Sequence, residues 1–202
     1  MKYVQIFKVY EDKNILVINK PSGLITHPKD ATDKQESVTG WLVEKYPEIS
    51  SVGEDPLRPG LVHRLDKDTS GLLVIVKNQD SFFYLKSLFQ DKKIKKFYLA
   101  LVNGKPKEPR GIIDAPLGRI GMKRTTQLHG KKKLKDEKTA VTEYNTVKNF
   151  LDFTLLEVSP HTGRTHQIRV HLKSIGTPVA GDSLYGHKNT NGPKEPERLF
   201  LH

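Results

Sequence analysis

Cysteine is absent from all 202 residues. That excludes a disulfide framework, a thiolate metal site and a cysteine nucleophile, and it makes a cytoplasmic location the default. Long apolar runs are missing too. The longest aliphatic run is Leu72 to Val76, far short of the about 20 residues a transmembrane helix needs, so no membrane partner is expected. The charged start MKYVQIFKVYEDK lacks the apolar stretch of a secretory signal. There is no phosphate-binding Gly-rich loop ending in Lys-Ser or Lys-Thr, no dinucleotide fingerprint, no nucleophile elbow and no internal repeat.

What the chain has in surplus is positive charge. It carries 34 Lys and Arg against 23 Asp and Glu, a formal charge of +11, with 36% hydrophobic and 28% charged residues. The length and composition suit one soluble globular domain spanning residues 1–202. Between Lys86 and Lys138 there are 16 basic and 5 acidic side chains, and the remainder holds 18 of each. The whole surplus therefore sits in one middle segment. A solvated lysine-rich surface would look like this, and so would an electrostatic handle for a polyanion.

The pattern along the chain predicts an α+β domain. NILVIN, Asn14 to Asn19, reads as a buried strand. Ser37 caps a short helix that Pro47 closes. LVHRL and LLVIVKN read as strands around the turn DKDTSG. Asp80 opens a helix with Phe82, Leu85, Leu88 and Phe89 on one face and Lys92 and Lys93 in its last turn. KFYLALVNG is a strand. Lys105 to Thr139 reads as long exposed loops, except around Gly111 to Ile120. AVTEYNTV and DFTLLEV form a hairpin about Lys148 and Asn149, and a last helix starts at Thr165, with Ile168, Leu172 and Ile175 on one face and Gly176 and Pro178 beyond it.

His161, His166 and His171 invite a zinc hypothesis. Five residues turn a helix by about 500°, so His166 and His171 would point about 140° apart, and no metal site is expected. The strongest local signal is HRLDKDTSG. Its residues are those that build turns, yet Asp66 follows a strand directly, with Arg64 two residues earlier on the same face if the strand continues. A carboxylate paired with an arginine stays ionised and available as a nucleophile.

HRLDKDTSGLLVIVKN resembles the signature segment of the RluA family of RNA pseudouridine synthases. DKNILVINKPSGLITHP, KKFYLALVNG, KTAVTEYNTV and PHTGRTHQIRVHLKSIGTPVAGDSLYG match it in the same order, over most of Val9 to Gly186. Relatives with a GRLD motif are less similar, since His63 stands here where they have Gly. The resemblance implies the pseudouridine synthase fold, a mixed, mostly antiparallel sheet flanked by helices and basic RNA-gripping loops. It also implies isomerisation of uridine in ribosomal or transfer RNA without cofactor or metal. Asp66 would be the catalytic carboxylate, acting at C1′, at C6 or through a glycal. Tyr98 would stack on the uracil and assist removal of the C5 proton, and Arg169 would pair with Asp66. A dipole disfavours a cation in the first turn of a helix, so Arg169 should have a carboxylate partner.

The uridine must leave its stack to reach Asp66, and Arg64, with a planar guanidinium, is the candidate to fill the gap. Lys95, Lys96, Lys123, Arg124, Lys131, Lys132 and Lys133 would grip the backbone, together with Arg164 and His166. The resemblance sets the expectation of a catalytic domain without the N-terminal S4-type domain of many relatives, and RLFLH at Arg198 to His202 resembles the start of a segment that normally continues into a last strand. A monomer is expected. Two other readings are a noncatalytic RNA-binding protein that keeps the fold, for which Asp66, Tyr98 and Arg169 would be superfluous, and a metal-dependent phosphodiesterase, for which clustered ligands are lacking.

Overall fold

A computed structural model describes residues 5–120, 123–126, 134–186 and 197–202. They fall into two compact units that divide between Ile94 and Lys95. The α+β class holds: strands and three α-helices are interspersed in the described chain. No helix among the described residues is long and apolar enough to cross a membrane.

In the first unit, β1 (Phe7–Glu11), β2 (Ile15–Lys20) and β3 (Gly71–Val76) form an antiparallel sheet in that order. Side chains alternate along a strand. Leu16, Ile18 and Lys20 of β2 are thus buried together, and Ile18 lies opposite Leu73 and Leu16 opposite Ile75. Helix α1 (Val38–Lys45) starts where predicted, with Ser37 Oγ accepting from the Gly40 amide at 3.0 Å. Helix α2 (Gln79–Gln90) starts one residue before Asp80, because Asn78 supplies the cap, its Oδ1 accepting from the Ser81 amide at 2.9 Å. Phe82 is buried and Leu85, Leu88 and Phe89 are half-buried on the expected face. Lys92 and Lys93 lie past the end of α2, since Lys92 adopts a left-handed φ of 57° and the Lys93 amide bonds back to the Leu88 carbonyl.

The predicted strand LVHRL reduces to a single bridge, Leu61 to Ile75. An imidazole takes the place of further ladder bonds. The Val74 amide donates to His63 Nε2 at 2.9 Å, and the His63 ring stacks on Phe89 with centroids 4.8 Å apart. From Val62 onward the chain is irregular, so Arg64 and Asp66 are not presented by a continuing strand.

The second unit holds two antiparallel sheets. One has the order β4 (Tyr98–Asn103), β10 (Phe153–Pro160), β9 (Val141–Asn149), β5 (Arg110–Asp114). The other is β7 (Lys123–Thr126), β6 (Leu117–Ile120), β8 (Lys135–Lys138). β5 and β6 fall in the part around Gly111 to Ile120 that stands apart from the expected loops, whereas β7 and β8 lie in the stretch read as loops. KDEK of β8 is exposed at every position, so no buried face imposes an alternating pattern. Gly111 sits opposite Tyr144, and a Cβ there would come within 2.9 Å of the Tyr144 hydroxyl, which is why a side chain is missing at that register. The β9–β10 hairpin turns two residues later than predicted, through Phe150 to Asp152.

Helix α3 (Gln167–Ser174) packs Ile168 and Leu172 into the core with Ala100, Val102, Leu156 and Val158. Every residue from Gln167 to Leu172 is buried, including three polar ones. Their bonds explain how: Gln167 Nε2 donates to Val141 O, Arg169 pairs with Asp182, and His171 lies between Thr142 Oγ1 and Ala115 O, 2.9 Å from each. Gly176, with φ of 85°, follows the end as predicted. The last residues run along β4, where the amides of Leu99 and His202 bond each other's carbonyls and Leu199 and Leu201 are buried.

Candidate active site

Asp66 lies half-buried in the irregular turn after Leu65, and the segment Lys20 to Pro28 holds that turn residue by residue. Lys20 Nζ donates to the carbonyls of Pro21 (2.8 Å), Leu24 (2.8 Å) and Lys67 (3.0 Å). Ser22 Oγ donates to Asp68 O at 2.6 Å, and the Gly23 amide donates to Lys67 O at 2.9 Å. Thr26 Oγ1 donates to Leu65 O at 2.7 Å and accepts from the Leu65 amide at 3.3 Å. His27 Nε2 is 3.0 Å from Arg64 Nη1. The Thr69 amide closes the turn on the Asp66 carbonyl at 3.2 Å. Every residue flanking Asp66 is thus anchored through its main chain or, at Arg64, through its side chain.

Lys20 is the group the sequence reading missed. It is fully buried, and burial pushes its pKa down to about 8, opposed by the charges of Asp68 and Asp66. An ammonium there satisfies three carbonyls at once and offsets the negative charge of the turn. Its position was legible, since residue 20 shares the inward parity of Leu16 and Ile18.

In the second unit, Tyr98 opens β4 opposite Val158 and is half-buried against the core. Arg169 is buried in the first turn of α3. A carboxylate holds it, as the dipole argument requires, and that carboxylate is Asp182: Nε reaches Oδ2 and Nη2 reaches Oδ1, both at 2.7 Å. The amides of Leu184 and Tyr185 also donate to Asp182 Oδ1, each at 3.0 Å. Desolvation raises the Asp182 pKa, but the Arg169 bond and charge and the two amides outweigh it, and the carboxyl lies below its ordinary value. The Arg169 guanidinium also sits over the Tyr185 ring, 5.1 Å from its centroid, and His166 Nδ1 is 2.9 Å from the Tyr185 hydroxyl. His166 caps α3 in a left-handed conformation, φ 57°, in place of Thr165.

Arg64 is exposed, as is Lys95. Lys96 is half-buried and its pKa is lowered by desolvation. Arg124, half-buried on β7, lies opposite Arg119, and Lys123 belongs to the same strand. Arg164 ties its loop together, its Nε donating to Thr139 O at 3.1 Å. Lys131, Lys132 and Lys133 lie outside the described residues. Among the described residues no cluster of His, Asp and Glu could hold a metal ion.

The sequence matches the family model described as RNA pseudouridylate synthase over residues 14–174. The chain belongs to the RNA pseudouridylate synthase family. Among curated relatives of this synthase family, an uncharacterized RNA pseudouridine synthase of Aquifex aeolicus is 44% identical over 189 residues, 93% of this chain and 58% of that protein. The ribosomal large subunit pseudouridine synthase D of Borreliella burgdorferi is 38% identical over 204 residues, 98% of this chain and 60% of that one. The chain thus spans about three fifths of the length of these relatives. The structure of human RNA pseudouridylate synthase domain containing 1 superposes with a TM-score of 0.78 at 26% identity, over 98% of this chain and 76% of the human one.

Proposed function

We propose that this synthase-family chain isomerises uridine in RNA to pseudouridine, with Asp66 as its catalytic carboxylate. The observation that carries this reading is the anchoring of the Asp66 turn by Lys20 to Pro28, which presents one carboxylate on a fixed main chain. The N1–C1′ bond breaks, the uracil turns, C5 bonds to C1′, and the proton leaving C5 is balanced by one gained at N1. Bond breaking builds positive character at C1′, which a carboxylate stabilises or traps. Tyr98 assists removal of the C5 proton and Arg169 supports Asp66, as the family resemblance implies. Arg64 fills the space left by the extruded base, and the basic residues Lys95, Lys96, Lys123, Arg124, Lys131 to Lys133, Arg164 and His166 hold the RNA backbone.

The names of several relatives favour a uridine of large-subunit ribosomal RNA as substrate, with transfer RNA the second choice; the protein is proposed to act as a monomer in the cytoplasm. The test is to treat total RNA from cells lacking the gene with the purified protein and to map pseudouridine at single-nucleotide resolution, with and without EDTA. New pseudouridine at one or a few positions, unaffected by EDTA, is expected. RNA binding without any new pseudouridine would favour the noncatalytic reading, and loss in EDTA that added metal restores would contradict the metal-free chemistry.

A further inference from the structure

His27 has no role in the chemistry above, yet it is buried, 9% exposed, against an exposed arginine of the Asp66 turn. Its two ring nitrogens have partners of opposite kind. Nδ1 lies 2.7 Å from the Pro28 carbonyl, which only accepts, and Nε2 lies 3.0 Å from Arg64 Nη1, which only donates. A single state satisfies both: a neutral ring with its proton on Nδ1. The ring itself is held in register, since the preceding residue, Thr26, exchanges two bonds with the main chain of Leu65. Thr26 against Leu65 and His27 against Arg64 are consecutive rungs of one ladder.

We propose that His27 is a positioning residue for Arg64: the neutral imidazole accepts one guanidinium hydrogen bond and aims the rest of the group toward RNA, and protonation of His27 releases it. This rests on the proposed function, in which Arg64 takes the place of the flipped uridine. An exposed arginine loses rotamer entropy when it is ordered, and fixing one nitrogen beforehand removes part of the cost of ordering it on the substrate. Protonation reverses the arrangement, because an imidazolium directs an N–H at the guanidinium and places two cations together. The charged groups around the ring are Arg58 and Arg64, which disfavour the imidazolium, and Asp55, which favours it. Burial is the largest influence, ahead of the Pro28 carbonyl, and the ring stays neutral to a lower pH than an ordinary histidine. The switch therefore acts on the acid side of neutrality.

Two measurements test this. In the free protein, ¹⁵N–¹H correlation spectra of the His27 ring should show the Nδ1–H tautomer, and Arg64→Ala should raise its titration midpoint. An Nε2–H tautomer, or an unmoved midpoint, would overturn the pairing whether or not the protein is active. On substrate RNA, His27→Gln, whose Oε1 can stand near Nε2, should keep kcat/KM at pH 8 within about threefold of the native protein and flatten the acid limb of its pH profile. His27→Asn, whose carbonyl reaches only toward Nδ1, should lower kcat/KM by about tenfold, the value of one charge-assisted bond. In an Arg64→Ala background both His27 changes should have no further effect. Losses that add, or an acid limb that His27→Gln leaves in place, would reduce His27 to a brace of the fold. If the native protein forms no pseudouridine at all, the proposed function fails instead, and the spectra alone decide the pairing.

Discussion

Asp66 and Asp182 are carboxylates of the two units, and they are held in different ways. The turn of Asp66 is fixed through its neighbours, by bonds from Lys20, Ser22, Gly23 and Thr26 to the main chain of Leu65, Lys67 and Asp68. Asp182 is fixed through its own oxygens, which take hydrogen bonds from Arg169 and from the Leu184 and Tyr185 amides. A carboxylate engaged by that many donors is a fastener, and its chemistry is spent on the fold. One whose neighbours carry the fastening can change its own partners during a reaction while its loop stays in place.

That contrast predicts unequal losses. The largest change in stability should follow Asp182→Ala, which removes the carboxylate that takes two hydrogen bonds from the buried Arg169 guanidinium and should cost about 3–5 kcal/mol, read as a lowered denaturant midpoint. A loss below about 1 kcal/mol would mean that the pair is not the fastener described. The pH dependence has a definite sign. Because the Asp182 pKa is depressed in the folded chain, its contribution is present above the ordinary carboxylate pKa and is lost as pH falls through the folded value. Asp182→Asn should remove this part of the acid transition.

Lys20→Met should behave in the opposite way. It relieves the desolvation of an ammonium but strands the carbonyls that Lys20 satisfies, so stability should change by only about 1–2 kcal/mol. Turnover should fall at least about tenfold, because a charge-assisted bond to Lys67 O, the residue after Asp66, is gone. Equal effects on stability and turnover would erase the distinction between the two regions. Lys20 also gives a titration to look for, a midpoint at about 8 in ¹⁵N-lysine spectra. Since the folded chain releases this proton more readily than the unfolded one, the group makes stability rise with pH between about 8 and the ordinary lysine range. A midpoint near the ordinary lysine value would contradict its burial.

The smallest effect should come from the basic block. Neutralising Lys131, Lys132 and Lys133 together should weaken RNA binding and flatten its log–log salt dependence by about 0.7–0.9 for each phosphate that is no longer neutralised. An unchanged slope would return those lysines to the solvated surface.

Elements with a buried face were legible in the sequence. β2 and β3 alternate or run apolar, α1 shows Ser37 at its start, and α3 carries Ile168 and Leu172 at helical spacing. β7 and β8 were not: KDEK of β8 is exposed at every position and offers no buried face to set a pattern. LVHRL misled for another reason: a side chain, His63, occupies a place that the pattern assigned to ladder bonding. The site shows the same division. Asp66, Tyr98 and Arg169 stood out through motif resemblance, and Arg169 advertised its need for a carboxylate by sitting at a helix N-terminus. Nothing local marked Asp182 as that carboxylate or His27 as the partner of Arg64, since each pairing joins residues distant in sequence and depends on how the chain packs.

The most direct measurement compares Asp66→Asn with the native protein on the same substrate RNA, following pseudouridine formation and RNA affinity together. The account predicts that isomerisation disappears while the dissociation constant stays within a few-fold, because the turn remains held by its neighbours. Persisting turnover, or an affinity lost in step with activity, would contradict it.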